Sequence, residues 1–193
     1  MLQRITPPIV RHEDGESERH IEMKRAVVNG LAHMMPETEV RLCGGRRRAD
    51  IVVDLYNYST RVVIECQHSK MPIKEFVSRQ RDYGRDGHLL WIFEASMVGQ
   101  SPIEVGYERI IKGSGEICKA VHHVVSEQGF VHVMDGTTVQ VLAMETVTRS
   151  FWAWDGTPKH RQYLRVSGVH VLTPPFTIVL RDGRFPRLAE HYE

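Results

Sequence analysis

Cysteine is scarce: Cys43, Cys66 and Cys118 are the only three in 193 residues, an odd number with no C-x-x-C pair. That usage excludes a disulfide scaffold and reads as reduced thiols in a cytoplasmic protein. Long apolar runs are missing as well. No stretch approaches the roughly 18–20 consecutive apolar residues of a membrane helix. Residues 1–8 lack the apolar core of a secretory signal. Nor is there an excess of either charge, since 25 Lys and Arg face 24 Asp and Glu for a net charge of +1. No global field draws such a chain to nucleic acid, so any attraction must come from a local cluster. P-loop, G-x-G-x-x-G and G-x-S-x-G patterns are absent, which removes the usual NTPase, dinucleotide and hydrolase-elbow readings. Eleven histidines are present, but none has zinc-finger or H-E-x-x-H spacing.

What is present is ordinary for a globular chain: 41% hydrophobic and 25% charged residues, without repeats or low-complexity tracts. The length suits one domain with a sizeable core. Residues 1–12, with Pro7-Pro8, read as an N-terminal arm. Over 20–35 the apolar residues Ile21, Val28, Leu31 and Met35 recur at helical spacing until Pro36. β-rich segments follow at 39–42, 49–55 and 61–67, the last two forming a probable hairpin partnership around residues 56–59. A second helix fits 72–83, with Pro72 at its start and Gly84 just past its end. Residues 89–93, all apolar, suit a strand covered on both faces. The order over 13–95 is thus αβββαβ, an α/β core. Residues 96–193 read as an extension of the same domain. It carries a helix ending at Gly129, a hairpin turning at Asp135-Gly136, and strands at 166–172 and 176–180.

The chemistry concentrates on Arg46-Arg47-Arg48-Ala49-Asp50 and on Glu65-Cys66-Gln67. With a four-residue loop at 56–59, Asp50 stands across from Glu65 on one face of the hairpin; a slip of one residue would separate them. Two carboxylates side by side repel and call for a cation, and hard oxygen ligands with open water positions suit Mg²⁺ or Mn²⁺. Gln67 shares the face of Glu65 and can hold a water or a phosphate oxygen, though it brings no positive charge.

These residues resemble a known family. The pattern Arg48-Ala49-Asp50-Ile51-Val52, then Ile64-Glu65-Cys66-Gln67-His68-Ser69, then Arg79 and Tyr83 on a helix, then Leu90-Trp91-Ile92-Phe93 is similar to the competence protein CoiA-like nucleases of the PD-(D/E)XK superfamily. Ser17, His20 and Lys24 resemble that family's first-helix pattern. The resemblance covers about residues 13–95. It implies a restriction-endonuclease-like core, a mixed central sheet flanked by helices, and metal-dependent cleavage of DNA during uptake or recombination. It also implies a metal site at Asp50, Glu65 and the backbone carbonyl of Cys66. Gln67 stands where the superfamily usually has Lys, and Gln is common there among CoiA-like members. Glu16 is the candidate for a first-helix carboxylate near the metal, with His20 and Lys24 four and eight residues further along the same face. Lys24 would then supply the positive charge that Gln67 lacks.

For nucleic-acid contact the candidates are Arg46, Arg47, Arg48, Arg79 and Tyr83. The partner would be DNA, single- or double-stranded, with no membrane; a homodimer is compatible with the sequence. Each feature has a plainer alternative. The arginine run could be a solvated loop, and Glu75 with Arg79 a simple i,i+4 ion pair. The whole could be a DNA-binding module without turnover, or a scaffold for a protein partner. Phe151-Trp152-Ala153-Trp154 could stack unpaired bases, but packing in the core or an interface is the expectation.

Overall fold

A computed structural model describes residues 16–55, 59–69, 71–98, 110–112 and 116–191. The arm expected at 1–12 lies outside the described residues. Ser17 caps the first helix, α1 (Glu18–Gly30), its hydroxyl accepting from the His20 N–H at 3.2 Å. The α-helix stops five residues short of the expected Met35, and a 3-10 turn at Ala32–Met34 carries the chain on. Gly30 explains the stop. Glycine is a weak helix former, and a Cβ there would come within 2.2 Å of the Phe176 ring.

Three strands follow, β1 (Glu37–Leu42), β2 (Arg47–Leu55) and β3 (Thr60–Gln67), then α2 (Ile73–Tyr83) and β4 (His88–Glu94). The αβββαβ order therefore stands. Beyond it come β5 (Ile110–Lys112), α3 (Glu116–Gln128), β6 (Phe130–Asp135), β7 (Thr138–Trp152), β8 (Pro158–Leu172), β9 (Phe176–Arg181) and β10 (Phe185–Glu190). Eight strands form one mixed sheet in the order β1-β2-β3-β4-β6-β7-β8-β5, and β9 pairs with β10 separately. β3, β4 and β6 run parallel and the other neighbours antiparallel.

Both faces of the sheet are covered at β4, which is why its residues 89–93 are all apolar. On one face Leu90 and Ile92 pack with Met23, Val27 and Leu31 of α1 and with Phe176 and Leu188 of the β9–β10 hairpin. On the other, Trp91 and Phe93 pack with Phe76 of α2 and Val121 and Val124 of α3. Among the described residues no helix is long and apolar enough to cross a membrane.

His132 of β6 is fully buried. Its Nε2 accepts the Leu188 N–H at 3.0 Å, so the neutral ring carries its proton on Nδ1, which has no partner. Burial, with the charge of Arg187 adding, lowers its pKa from 6.5 to about 3. The unfolded chain takes up this proton near pH 6.5 and the folded chain does not. The contribution of His132 to stability is therefore present above pH 6.5 and is lost as pH falls toward 3. In urea titrations across that window, His132→Gln should remove a slope of about 1.4 kcal/mol per pH unit. Identical slopes for wild type and variant would show the imidazole protonating inside the fold.

Candidate active site

β2 and β3 pair from Leu55↔Thr60 to Ile51↔Ile64, the register of a four-residue loop. One step further, the Asp50 side chain takes over from the backbone ladder, its Oδ2 accepting the Cys66 N–H at 2.8 Å. Oδ1 of Asp50 lies 3.1 Å from His20 Nε2, and Glu16 Oε1 lies 3.7 Å from the same nitrogen. Helical spacing puts His20 and Lys24 on one side of α1, and Glu16, just before the Ser17 cap, meets both side chains. Burial disfavours the His20 imidazolium, but the hydrogen bond and charge of Asp50, helped by Glu16, outweigh it and raise the pKa above 6.5. His68 meets the His20 ring edge-on at 5.1 Å.

Lys24 is fully buried. Its ammonium donates to Glu16 at 2.7 and 2.8 Å and also to Glu39. Burial opposes its charge, yet the two carboxylates raise its pKa, so it stays protonated. Glu39 in turn receives Arg48 Nε at 2.6 Å. Sequence reasoning missed Glu39, which in the chain is just one polar residue of β1. Its only distinguishing sign is conformational: φ is +58°, in the left-handed region that non-glycine residues seldom adopt. Such strain tends to gather at functional sites.

Glu65 is 2% exposed. Oε2 receives Arg79 Nη1 at 2.7 Å, whereas the buried Oε1 has no hydrogen-bond partner. The Tyr83 hydroxyl lies against this carboxylate but donates to the Arg48 carbonyl at 2.9 Å. Burial, and then the charge of Asp50, push the Glu65 pKa up to about 7 against the pull of Arg79. Burial likewise raises the Cys66 thiol, which stays protonated. Gln67 is nearly buried, and its amide donates to the Ser69 carbonyl, bracing the turn after β3.

Several expected nucleic-acid contacts take a different place. Tyr83 is 1% exposed, so it props β2 and cannot meet a ligand. Arg47 clamps β2 to α2, donating to Asp82 at 2.9 Å, Glu75 at 2.8 Å and Ser78 at 2.8 Å. Its charge and that of Arg48 are thus balanced inside the fold, so the arginine run is no open basic patch. Arg46 bonds only weakly into its own loop, Nε to the Cys43 carbonyl at 3.1 Å. Arg79 makes the i,i+4 pair with Glu75 at 3.0 Å besides its bond to Glu65.

Residues 16–105 match the family described as competence protein CoiA, nuclease-like domain. This part of the chain is a CoiA nuclease-like domain. No curated protein and no solved structure gives a match. The matched span contains every candidate residue from Glu16 to Tyr83, and it implies a divalent metal.

The residues of the CoiA nuclease-like domain fit that implication. Ligand atoms of Glu16, His20 and Asp50 lie within 4.8 Å of one another. Glu65 stands outside that group, with its Oε1 buried and without a hydrogen-bond partner. A donor set dominated by carboxylate oxygen suits a hard cation better than the sulfur-rich sites of structural zinc.

Proposed function

We propose that the protein is a Mg²⁺- or Mn²⁺-dependent nuclease that hydrolyses phosphodiester bonds of DNA, with Asp50, Glu65 and the Cys66 carbonyl as ligands. The observation that carries this reading is Glu65: a buried carboxylate with one unsatisfied oxygen, held beside a second acid whose charge raises its pKa. A divalent ion bound there supplies a water of lowered pKa and offsets charge on the phosphate. The chain's own residues orient that site. The Cys66 N–H and His20 hold Asp50, and Arg79 holds Glu65. Glu16 and Lys24 fix the far side of His20, so Lys24 acts as a positioning residue rather than as a direct phosphate contact. His20 Nε2 lies 3.1 Å from Asp50 Oδ1, whose hydrogen bond and charge raise the imidazole pKa against burial. Arg46 is the arginine of the run best placed to meet backbone phosphate, and Gln67 fixes the turn beside the ligands. A role in DNA uptake or recombination follows from the competence family.

Degradation of plasmid and oligonucleotide DNA with Mn²⁺ and with EDTA tests this. Asp50→Asn is the informative variant, since Asn keeps an acceptor for the Cys66 N–H and loses only the charge. Cleavage should need the metal and fall at least about 100-fold in the variant, with the melting temperature kept near wild type. Wild-type cleavage by Asp50→Asn would remove Asp50 as ligand. DNA binding without metal-dependent cleavage by the native chain would favour the binding-module reading.

A further inference from the structure

The sequence Phe151-Trp152-Ala153-Trp154 was expected in a core or interface, and the core is excluded: Trp152 is 75% and Trp154 99% accessible. They sit at the end of the β7–β8 hairpin, whose last pairs run from Thr148↔Gln162 to Trp152↔Pro158, past the point where β5 stops pairing with β8 at Lys112↔Tyr163. Five residue pairs at about 3.3 Å each make an arm of roughly 15–20 Å. The loop at its end is held rigidly. The Ala153 N–H donates to the Thr157 carbonyl and the Gly156 N–H to the Ala153 carbonyl, both at 2.9 Å. Gly156 takes φ +75°, which only glycine adopts without strain. Asp155, the one acid of the loop, is turned inward to the Thr157 N–H and hydroxyl at 3.0 and 2.6 Å.

Large aromatic rings on a stiff two-stranded arm are unfavourable in water and do not serve the core. In sequence, residues 149–161 carry Arg149, Lys159 and Arg161 against the single Asp155. Flat rings with a surplus of cations match unpaired nucleobases on a phosphate backbone, because every base offers a stacking face and every nucleotide a negative charge.

We propose that this hairpin tip is a second nucleic-acid site, which stacks unpaired bases of single-stranded DNA on Trp152 and Trp154. It is separate from the candidate active site. Glu65 and Gln67 lie at the end of β3, and β4 and β6 run parallel to β3. β7 starts at that end of the sheet and runs antiparallel to β6, so the tip projects from the opposite end. The tip therefore grips a strand at a distance from the cleavage chemistry and contributes affinity for long single strands. The proposal rests on the reading that the protein acts on DNA, but not on turnover.

Titration of the full chain with oligo-dT in EDTA, followed by tryptophan fluorescence, tests the tip without any cleavage. Of the three tryptophans only Trp91 is buried, so stacking at the tip should quench most of the emission. Trp152→Ala with Trp154→Ala should weaken oligo-dT binding at least about 10-fold, with duplex affinity and melting temperature unchanged. Trp152→Phe with Trp154→Phe should restore most of it. Unchanged oligo-dT affinity in the alanine variant overturns the proposal. So does a blue shift with anionic phosphatidylserine vesicles in place of quenching by DNA, or a dimer in sedimentation that the variant abolishes. Quenching by oligo-dT in a protein that never cleaves would sink the nuclease reading alone, and cleavage without quenching would sink this one alone.

Discussion

Glu65→Gln should end cleavage and make the protein more stable above neutral pH. Glu65 is 2% exposed and its pKa stands at about 7, against 4.5 for the free side chain. Between those values the folded chain holds a proton that the unfolded chain releases. The protonated carboxyl is thus tolerated at pH 4.5, and stability is lost as pH rises through 7. The full shift corresponds to about 3 kcal/mol, an upper limit because Arg79 and Asp50 relax with it. Glutamine keeps the shape and an acceptor for Arg79 but never ionises, so its stability should stay flat from pH 5 to 8.5 and exceed wild type at the alkaline end. Mn²⁺ should raise the melting temperature of wild type, releasing protons as it binds, and leave the variant unmoved. Thermal melts across that pH range, with and without Mn²⁺, check both points. A variant less stable than wild type at pH 8.5 would mean that the Arg79 pair outweighs burial, and one that still responds to Mn²⁺ would place the metal elsewhere.

The second large effect belongs to Lys24. Lys24→Met preserves length and packing in a site with no exposure, but it leaves Glu16 and Glu39 without the cation between them. Breaking a buried ion pair from one side typically costs about 3–5 kcal/mol. Loss of that size should appear in urea unfolding at pH 7. Adding Glu16→Gln to the variant should recover part of it, since Glu39 retains Arg48. A change under about 1 kcal/mol would show water reaching the cluster. The prediction separates two roles for Lys24. As a phosphate contact it would leave stability alone and affect cleavage; as the centre of a carboxylate cluster it affects the fold first and the site through Glu16 and His20.

The αβββαβ order was legible because each element buries one face against a neighbour and so carries its own period. Val62 and Ile64 face α1 while Val63 faces α2, and the alternation is written in β3 itself. The position of Asp50 beside the end of β3 followed from the loop length, since four residues between Leu55 and Thr60 leave one register. The spacing likewise placed His20 and Lys24 on one side of α1, with Glu16 reaching both from just before the helix. The far half of the chain was less readable. β8 begins eight residues earlier than its apolar run, because Pro158, Lys159 and His160 lie exposed at the end of the hairpin, where burial imposes no pattern.

Local period thus determined the elements, their order and the hairpin register, while the motif residues carried the resemblance to the family of the core. The tertiary structure alone decided which charges meet. Arg47 finds Glu75 and Asp82 across 28 and 35 residues, Glu39 finds Lys24 across 15, and Glu65 finds Arg79 across 14. It also decided that the two tryptophans of the hairpin tip face water. The physical reason is range. Burial of one face repeats every two or 3.6 residues and so leaves a trace in the sequence, whereas an ion pair needs only two groups within a few ångströms. How α1 and α2 lie across the sheet sets that distance, and no spacing along the chain records it.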